Sequence, residues 1–386
     1  MKNRVVRLGQ VVDINPSTKA TGSADDLVAF LAMADISEEG RVASVQQRPL
    51  ADVQKGYTVF QAGDVLLAKI TPCFENGKAA LVESLPTQLG FGSTEFHVLR
   101  PTKEIDCKFL FHLVWNPNFR RSGTSRMTGS AGQKRVPAAF LADYEFSLPS
   151  LGEQRRIATI LDKADSLRRR RQEAIQLADQ FLRAVFYEKF GDPVTNTNGF
   201  PTNRIDQLCD VATGATPARN RADYYGGPHP WIKTGEVDTP LITSAEEHIS
   251  DAAIAESNCK LFPVGTLLIA MYGQGKTRGK VGMLGIPAAT NQACAAILPS
   301  QKINRHFLYT QLSLMYEHLR AMGRGGNQEN LNLGMIKALE VLVPPDHLVD
   351  EFLKVRQKVS EMTTRALSAQ AETDAMSQAL AAKFLS

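Results

Sequence analysis

The longest regular pattern in the sequence is a heptad spacing of apolar residues near the C-terminal end. Within residues 346–385 these residues recur at alternating steps of three and four, which is typical of a helix with a coiled-coil seam. The seam positions are Phe352, Val355, Val359, Met362, Ala366, Ala369, Thr373, Met376 and Leu380. A second predicted helix, residues 152–190, repeats this register 195 positions earlier, at Ile157, Ile160, Ala164, Leu167, Arg171, Ala174, Ala178, Phe181 and Val185.

Over roughly 35 to 38 residues, each predicted helix would span about 52 to 57 Å, and such a helix needs a partner surface to fold. We expect the two helices to pair with each other, antiparallel, because each leads away from its own globular half. Only Arg171 and Thr373 are polar on the seam. Arg171, the last residue of a run of four arginines, is expected to face a carboxylate on a partner helix.

Shorter apolar runs predict a small α/β domain before each helix. In the first half the predicted strands are 65–69 and 96–99, followed by a helix at 108–114. In the second half the predicted strands are 266–270 and 295–298, followed by a helix at 305–320. Glycine-rich and asparagine-rich loops connect them.

The two halves also match each other as sequences. RLGQVVDI at 7–14 corresponds to RIDQLCDV at 204–211, FQAGDVLLA at 60–68 to FPVGTLLIA at 262–270, and EFSLP at 145–149 to EVLVP at 340–344. Matches in the same order at nearly constant offsets predict a tandem repeat. The predicted domains are 1–148, a central helix at 149–192, a second domain at 193–343 and a distal helix at 344–386.

Composition adds few constraints. The 386 residues carry a net charge of +4, which permits a nucleic-acid partner without requiring one. No apolar run reaches the roughly 18 residues of a membrane span. The five cysteines are scattered without a C-x-x-C pair, which argues against a zinc site or a disulfide framework and fits a reducing cytoplasm. We therefore expect a cytoplasmic protein that holds no metal or cofactor of its own.

The loops of both halves share one chemistry. Lysine and arginine neutralise phosphates, and glutamine, asparagine and arginine can make paired hydrogen bonds to base edges. A solvated surface turn is the better explanation for any single loop, but equivalent loops are polar and basic in both halves, which makes DNA binding an equally good explanation. The candidate DNA-binding residues are Lys69, Thr71, Asn76, Lys78, Ser93, Thr94, Arg121, Arg126, Gln133, Lys134 and Arg135 in the first half, and Lys233, Thr234, Tyr272, Gln274, Lys276, Arg278, Lys280, Asn291, Gln292, Arg324, Asn327 and Gln328 in the second.

Two enzymatic interpretations are contradicted by the residues in or next to the motif. GQGKT at 273–277 resembles a phosphate-binding P-loop, but the following RGKVGMLGIP forms a poor helix, whereas a P-loop needs a helix N-terminus. NPNF at 116–119 approaches the N-P-P-[FYW] loop of amino-methyltransferases, but Asn118 replaces the second proline. We therefore expect a chain that is not itself an enzyme.

The chain resembles the specificity subunits of type I restriction-modification systems over essentially its whole length. The resemblance is carried by the tandem halves, LAKITPCFENGK at 67–78, GSTEF at 92–96, LPSLGEQRRIATILDKAD at 148–165, FGDP at 190–193 and VPPDHLVDEF at 343–352. The second junction departs from the first, because VDEF at 349–352 replaces the EQRRI run at 153–157.

The resemblance implies an α+β fold in which two similar α/β target recognition domains are joined by two long antiparallel coiled-coil helices as a pseudo-two-fold tandem repeat. Each domain would read one half of a bipartite, asymmetric DNA target, and the helices would fix the gap. Methyltransferase subunits, expected to number two, would dock along the helices and carry S-adenosylmethionine. A separate motor-nuclease restriction subunit would use ATP and Mg²⁺.

The apolar stripe of the helices is wider than a two-stranded coil needs. It either packs against the globular halves or contacts partner subunits. The candidate partner-contact residues are Ile157, Leu161, Leu167, Phe181, Phe186, Phe352, Met362 and Met376. A non-DNA scaffold, with two protein-binding heads on a coiled coil, is the alternative function, and weak salt dependence of duplex binding would favour it.

Overall fold

The computed structural model describes residues 4–19, 22–130, 132–273, 275–322 and 330–384. The chain divides into two compact units. Unit 1 comprises Met1–Glu173 and Ala366–Ser386, and unit 2 comprises Ala174–Arg365. Each unit therefore contains part of both long helices, whereas the sequence-based division gives the helices segments of their own.

Unit 1 contains ten strands, five short helices and the first part of a long one within its described residues. The strands are β1 Arg4–Arg7, β2 Val12–Ile14, β3 Leu27–Leu31, β4 Gln46–Pro49, β5 Thr58–Phe60, β6 Val65–Ala68, β7 Ala79–Leu81, β8 Gly90–Gly92, β9 Phe96–Pro101 and β10 Glu145–Leu148. The helices are α1 Leu8–Val11, α2 Leu50–Val53, α3 Cys107–Trp115, α4 Pro117–Thr124, α5 Ala138–Asp143 and the long α6 Leu151–Phe190.

Unit 2 repeats this arrangement and contains the last part of α6 and the first part of the second long helix, whose end belongs to unit 1. Its strands are β11 Thr202–Arg204, β12 Val211–Thr213, β13 Tyr225–Ile232, β14 Leu241–Ile242, β15 Glu247–Ile249, β16 Leu267–Ala270, β17 Val281–Leu284, β18 Ala289–Thr290, β19 Cys294–Ile297 and β20 Glu340–Leu342. Its helices are α7 Ile205–Leu208, α8 Asp251–Glu256, α9 Arg305–Leu314, α10 Tyr316–Met322, α11 Leu333–Ala338 and α12 Asp346–Phe384.

The sheets show that the two units share one topology. In unit 1 the main sheet has the order β2-β9-β6-β7, and in unit 2 it has the order β12-β19-β16-β17-β14. A second sheet contains the only parallel pair of unit 1 among its described strands, β3 with β8, and its counterpart in unit 2 is β13 with β18. The predicted tandem repeat is therefore confirmed in the common strands of both sheets, and unit 2 adds the parallel strand β14 at the edge of its main sheet.

The repeat extends to the hydrogen bonds that begin the helices. The Gln10 side chain accepts from the Arg7 backbone at 2.9 Å, and Gln207 does the same for Arg204 at 3.3 Å. Asp106 caps α3 by accepting from the second and third backbone N–H groups of the helix, and Asn304 caps α9 in the same way. A short polar side chain thus fixes the start of the same helix in both units.

The long helices pair antiparallel within each unit, as the sequence predicts. In unit 1, Arg171 meets Thr373, and Ile157 near the start of α6 shares a core with Phe384 at the end of α12. In unit 2, Lys189 forms an ion pair with Glu351 at 2.7 Å. The bounds of α6 and α12 agree with the predicted helices to within one residue.

The predicted seam is wrong at three positions of α6, because Leu167, Ala174 and Phe181 are exposed. The covered positions recur as Gln154, Ile157, Leu161, Ala164, Arg168, Arg171, Ile175, Ala178, Leu182, Val185 and Lys189. Arg168, Ile175 and Leu182 therefore replace Leu167, Ala174 and Phe181, while Leu161 is buried and Ile160 beside it is half-buried. The prediction transferred the register of the second helix to α6 by an offset of 195 residues. Arg168 can lie in the seam because an arginine can bury its aliphatic stem there while its charged head stays near water.

The predicted seam is also one residue off at two positions of α12. Thr363 and Ser377 are half-buried, whereas Met362 and Met376 are 66% and 67% exposed. Small polar side chains fill the space between closely paired helices, and the two methionines point outward.

Arg171 is held by a hydroxyl and a carbonyl rather than by the expected carboxylate. Its Nη1 donates to the Thr373 hydroxyl at 2.6 Å and to the Ala369 carbonyl at 2.5 Å. The two polar residues of the predicted seam thus satisfy each other inside unit 1.

Gln154, in the EQRRI run, joins α6 to the globular part of unit 1. Its fully buried amide accepts from the Asp106 N–H at 2.8 Å and donates to the carbonyls of Glu104 and Pro149 at 3.0 and 2.9 Å. The equivalent residue of unit 2 is Val349, which packs in an apolar core. The sequence departure at the second junction therefore replaces a hydrogen-bonded contact by an apolar one.

A carboxylate of α6 accepts hydrogen bonds from two side chains of α3. Asp162 accepts from Lys108 Nζ and from His112 Nε2, both at 2.8 Å. Burial raises the pKa of Asp162, but the hydrogen bonds from His112 and Lys108 outweigh burial and lower it from 3.8 to about 2.

We expect Asp162→Asn to destabilise unit 1 by about 1 kcal/mol at pH 7, a value reduced for the partial exposure of the carboxylate. Because the pKa is lowered on folding, this stability is present above pH 4 and is lost as the pH falls towards 2. Urea unfolding at pH 7 and pH 3 measures it. Asp179→Asn, which removes an exposed partner of Arg183 on the same helix, is the control. Equal stability of the wild-type protein and Asp162→Asn at pH 7 would contradict the prediction.

One core position of unit 2 holds a polar side chain with no partner. Gln311 on α9 is 0% exposed, and neither its Oε1 nor its Nε2 has a hydrogen-bond partner among the described residues. The equivalent residue of unit 1, 198 positions earlier, is the fully buried Leu113. The repeat thus shows that an aliphatic side chain fits this site.

We expect Gln311→Leu to stabilise unit 2 by about 1 to 3 kcal/mol, because it removes two unpaired buried polar atoms at nearly constant volume. Thermal unfolding of the full chain measures the change. The reverse substitution, Leu113→Gln, should destabilise unit 1 by a similar amount. A lower unfolding temperature for Gln311→Leu would refute the prediction.

The structure also tests the two enzymatic interpretations of the sequence. GQGKT at 273–277 is followed by strand β17, not by a helix, so the P-loop interpretation is excluded. In NPNF, Asn116 caps α4 by accepting from the Asn118 N–H at 2.7 Å, with Pro117 in the first turn. This motif therefore begins a helix.

Candidate nucleic-acid interface

Three loops of unit 1 meet where β6 ends and β9 begins. The Lys69 N–H donates to the Glu95 carbonyl, and the Val136 N–H donates to the Lys69 carbonyl, both at 2.9 Å. The Thr71 N–H donates to the Lys134 carbonyl, also at 2.9 Å. The structure therefore brings together the predicted residues near 69–71, 93–94 and 133–135.

Several predicted side chains in unit 1 are held by protein partners. Asn76 donates to Glu38 at 2.8 Å, Lys78 to the Met33 carbonyl at 3.1 Å, Thr71 to Glu75 at 2.8 Å, and Arg121 to Asn118 at 2.5 Å. Ser93 accepts from the Glu95 N–H at 3.2 Å, and Thr94 beside it is exposed. These hydrogen bonds shape the loops.

Arg126, Gln133 and Lys134 are exposed, and their side chains form no hydrogen bond or ion pair with any residue that the structure describes. The half-buried Lys69 side chain is likewise without such a partner in the described part of the chain. These four side chains form the unit 1 patch. It offers cations and an amide to a ligand, which are the groups that contact phosphates and base edges.

A buried histidine supports the same loops. His97 Nε2 donates to the Val136 carbonyl at 2.8 Å, so Nδ1 accepts from the Asn15 amide at 3.1 Å. Burial lowers the pKa of His97, which keeps the ring neutral. Sequence analysis missed His97 and also Glu95, which pairs with Arg135 at 2.8 Å. The GSTEF motif was the available signal for Glu95.

Unit 2 builds an equivalent junction at the end of β16. The Met271 N–H donates to the Ala293 carbonyl at 2.8 Å, and the Leu331 N–H donates to the Met271 carbonyl at 3.2 Å. Met271 therefore takes the place of Lys69, and Leu331 takes the place of Val136. Tyr272 and Lys276 are exposed just beyond this junction, and the Lys276 carbonyl accepts from the Tyr316 hydroxyl at 2.7 Å.

The other predicted residues of unit 2 differ in whether their side chains already have hydrogen-bond partners within the protein. Lys233 is engaged with Glu246 and Glu247 at 2.8 and 3.1 Å, and these hydrogen bonds raise its pKa. Gln292 accepts from Thr216 at 2.5 Å, and Asn291 accepts from the Ala293 N–H at 3.2 Å. The remaining half-buried side chains are Thr234, Arg278 and Lys280. Gln274, Arg324, Asn327 and Gln328 lie outside the described residues.

The candidate partner-contact residues fall into two groups. Ile157 and Leu161 are buried in the core of unit 1, and Phe186 and Phe352 in the core of unit 2. Their side chains pack against other residues of this chain, so the expectation that they contact a partner subunit is wrong. Leu167, Phe181, Met362 and Met376 are all at least 46% exposed and remain candidates.

Within the described ranges, no group of three or more histidine, cysteine, aspartate or glutamate side chains is arranged to hold a metal ion. Among the helices of those ranges, none is long and apolar enough to cross a membrane.

Comparison with known proteins identifies the class to which this fold belongs. Residues 2–177 and 198–354 each match the family described as the type I restriction modification DNA specificity domain. The chain belongs to this family, and the two matched segments correspond to the two repeats.

Individual relatives cover only part of the chain. It is 43% identical over 152 residues to the type I restriction enzyme EcoAI specificity subunit of Escherichia coli, covering 39% of this chain and 26% of that protein. It is 39% identical over 160 residues to the EcoEI specificity subunit of the same organism, covering 41% of this chain and 27% of that protein. The matched segment thus spans about a quarter of the length of each of these relatives.

Two solved structures share the fold over nearly the whole chain. A type I restriction-modification S subunit from M. genitalium aligns with a TM-score of 0.61 and 12% identity, covering 98% of this chain and 94% of that chain. A chain from a study of complex assembly in the type I system aligns with a TM-score of 0.59 and 20% identity, covering 100% of this chain and 97% of that chain. At these identities the likeness supports the fold alone.

Proposed function

We propose that this chain recognises double-stranded DNA as the specificity subunit of a type I restriction-modification complex. Each unit reads one half of a bipartite target. The observation that carries the proposal is the repeated junction, in which the end of β6 or β16 meets two other loops beside exposed cationic side chains. Membership of the DNA specificity domain family supports it.

The two half-sites differ in sequence. Unit 1 presents Arg126, Gln133 and Lys134, whereas unit 2 presents Tyr272 and Lys276. Different donors and acceptors on one backbone framework select different base edges. The target is therefore asymmetric.

The chain itself performs no catalysis in this proposal. Two methyltransferase subunits that bind S-adenosylmethionine dock on the long helices, where Leu167, Phe181, Met362 and Met376 are exposed. A motor-nuclease subunit supplies cleavage with ATP and Mg²⁺.

Selection from random duplex DNA by the chain, co-purified with its methyltransferase, tests the proposal. Two unlike short motifs separated by a fixed unspecified gap are expected, with binding that weakens steeply as salt rises. Absence of any enriched motif, together with salt-insensitive binding, would reject DNA recognition and favour a protein scaffold with two binding heads.

The gap is proposed to follow the length of the paired helices. We expect one additional heptad in both helices, inserted after residues 173 and 365, to lengthen the gap by about three base pairs. Seven residues add about 10.5 Å of helix, and base pairs are spaced by about 3.4 Å. The same selection experiment measures the gap. An unchanged gap in a folded variant would show that the helices do not set the spacing.

A further inference from the structure

A short hairpin in unit 1 is fixed around Arg135. The Arg135 N–H donates to the Thr128 carbonyl at 2.8 Å, and the Arg135 carbonyl accepts from the Thr128 N–H at 3.0 Å. Gly129 has a φ of +122°, and a Cβ there would lie 2.9 Å from the Gln133 carbonyl oxygen. Residues 128–129 and 133–135 of the hairpin are therefore held close together, and Gln133 and Lys134 directly precede Arg135.

The Arg135 side chain is committed to the protein. Its Nε and Nη2 donate to the Glu95 carboxylate at 3.0 and 2.8 Å, and its Nη1 donates to the Gln133 carbonyl at 3.0 Å. Two parallel hydrogen bonds between a guanidinium and a carboxylate fix orientation as well as distance. The hydrogen bond from Arg135 also lowers the pKa of Glu95, so Glu95 is ionised at neutral pH.

Unit 2 shows that this ion pair is not needed for the fold. Ala293 stands at the position of Glu95, and its carbonyl accepts from Met271 as the Glu95 carbonyl accepts from Lys69. Asn330, which precedes Leu331, stands at the position of Arg135. The backbone hydrogen bonds of the junction thus form in both units, whereas the ion pair is present only in unit 1, where it holds the hairpin.

We propose that Glu95 and Arg135 are a positioning pair that pre-organises this hairpin, so that Gln133 and Lys134 meet DNA in a single conformation. The inference rests on the proposed DNA recognition. Ordering a loop on binding costs affinity, and a loop already held in its bound form avoids that cost. The pair therefore determines specificity for the half-site that unit 1 reads, and Arg135 acts through Gln133 and Lys134 instead of contacting DNA directly.

The first test needs no DNA. Amide hydrogen exchange of the full chain is compared with that of Glu95→Gln, and exchange within residues 124–136 should become about tenfold faster, equivalent to about 1.4 kcal/mol of lost protection. Glu153→Gln is the matched control, because Glu153 forms a similar bidentate pair with Arg156 elsewhere in unit 1. Unchanged exchange of the hairpin in Glu95→Gln would overturn the positioning role.

The second test uses the duplex that the wild-type chain selects from a random library. Glu95→Gln removes a negative charge beside the DNA, which by electrostatics alone would strengthen binding. The positioning role predicts the opposite, namely about tenfold weaker binding with an unchanged salt dependence. Arg135→Gln should weaken binding equally, and the double variant should be no weaker than either single variant because both act through one contact.

The outcomes separate this inference from the proposed function. If the wild-type chain selects a motif but Glu95→Gln binds it as tightly or more tightly, the pair does not position the hairpin. If Arg135→Gln alone weakens binding and lowers the salt slope by about one, Arg135 contacts a phosphate directly and the inference is wrong. If the wild-type chain selects no motif, the DNA function fails and the specificity role of the pair fails with it, even where hydrogen exchange shows an ordered hairpin.

Discussion

Replacing Phe352 by alanine is expected to destabilise unit 2 by about 3 to 5 kcal/mol. Phe352 is 0% exposed, and its ring centroid lies 5.6 Å from that of Phe186, 5.7 Å from that of Phe190 and 6.3 Å from that of Phe307. These four aromatic residues come from α6, α9 and α12. The alanine variant leaves a cavity where the three helices meet, so it loses both apolar burial and edge-to-face ring packing.

Urea unfolding followed by a probe in unit 2, such as the fluorescence of the buried Trp231, measures this loss. Met362→Ala on the same helix is the control, because an exposed methionine should cost less than about 0.5 kcal/mol. A loss below about 1 kcal/mol for Phe352→Ala would mean that the aromatic cluster does not hold α12 against unit 2.

Reversing two charges in the unit 1 patch is expected to weaken binding of the selected duplex by about 100-fold at low salt. The variant is Arg126→Glu combined with Lys134→Glu. Both side chains are exposed and free of ion pairs with described residues, so the change removes two cations and adds repulsion without breaking an internal ion pair. The slope of log affinity against log salt should fall by about one for each phosphate that the variant no longer neutralises.

Fluorescence anisotropy across a salt series measures both effects. Lys19→Glu with Lys103→Glu makes the same charge change at exposed positions of unit 1 near the end of β9, whereas these loops lie at its beginning. The motif half read by unit 2 should persist in a repeated selection, because its loops are intact. Unchanged affinity of the Arg126 and Lys134 variant would place the DNA-binding surface of unit 1 elsewhere.

The architecture could be predicted from the sequence because the local residue patterns and the repeat indicated the same helices and strands. The heptad spacing located α6 and α12, and the glycine and proline residues around them marked their ends. The strand predictions at 65–69 and 266–270 match β6 and β16, since four-residue apolar runs between turn residues have few other structures available.

The seam positions were harder to predict. The register of α6 was transferred from α12 by the repeat offset of 195 residues, which selected Leu167 and Phe181 instead of Arg168 and Leu182. Which side of a helix is covered depends on the partner surface, and Arg168 can lie there because its stem is aliphatic. An error of one residue placed three predicted seam positions of α6 on its exposed side.

The candidate site was predictable as a set of loops but not side chain by side chain. Whether a basic residue is free depends on partners far away in sequence. Arg135 is bound by Glu95 and Lys233 by Glu246, while Lys134 has no such partner among the described residues. Composition cannot distinguish these cases, because all three residues occur in similar polar loops.

The contact between Arg171 and Thr373 bears on how the long helices find their correct alignment during folding. Apolar seams tolerate sliding by a whole heptad, since the same kind of side chain returns every seven residues. A slide of seven residues along α12 would place Arg171 opposite Ala366 or Leu380. The guanidinium would then be without its hydroxyl acceptor, at a cost of about 1 to 3 kcal/mol. One polar pair thereby selects a single alignment from several that the apolar residues would accept.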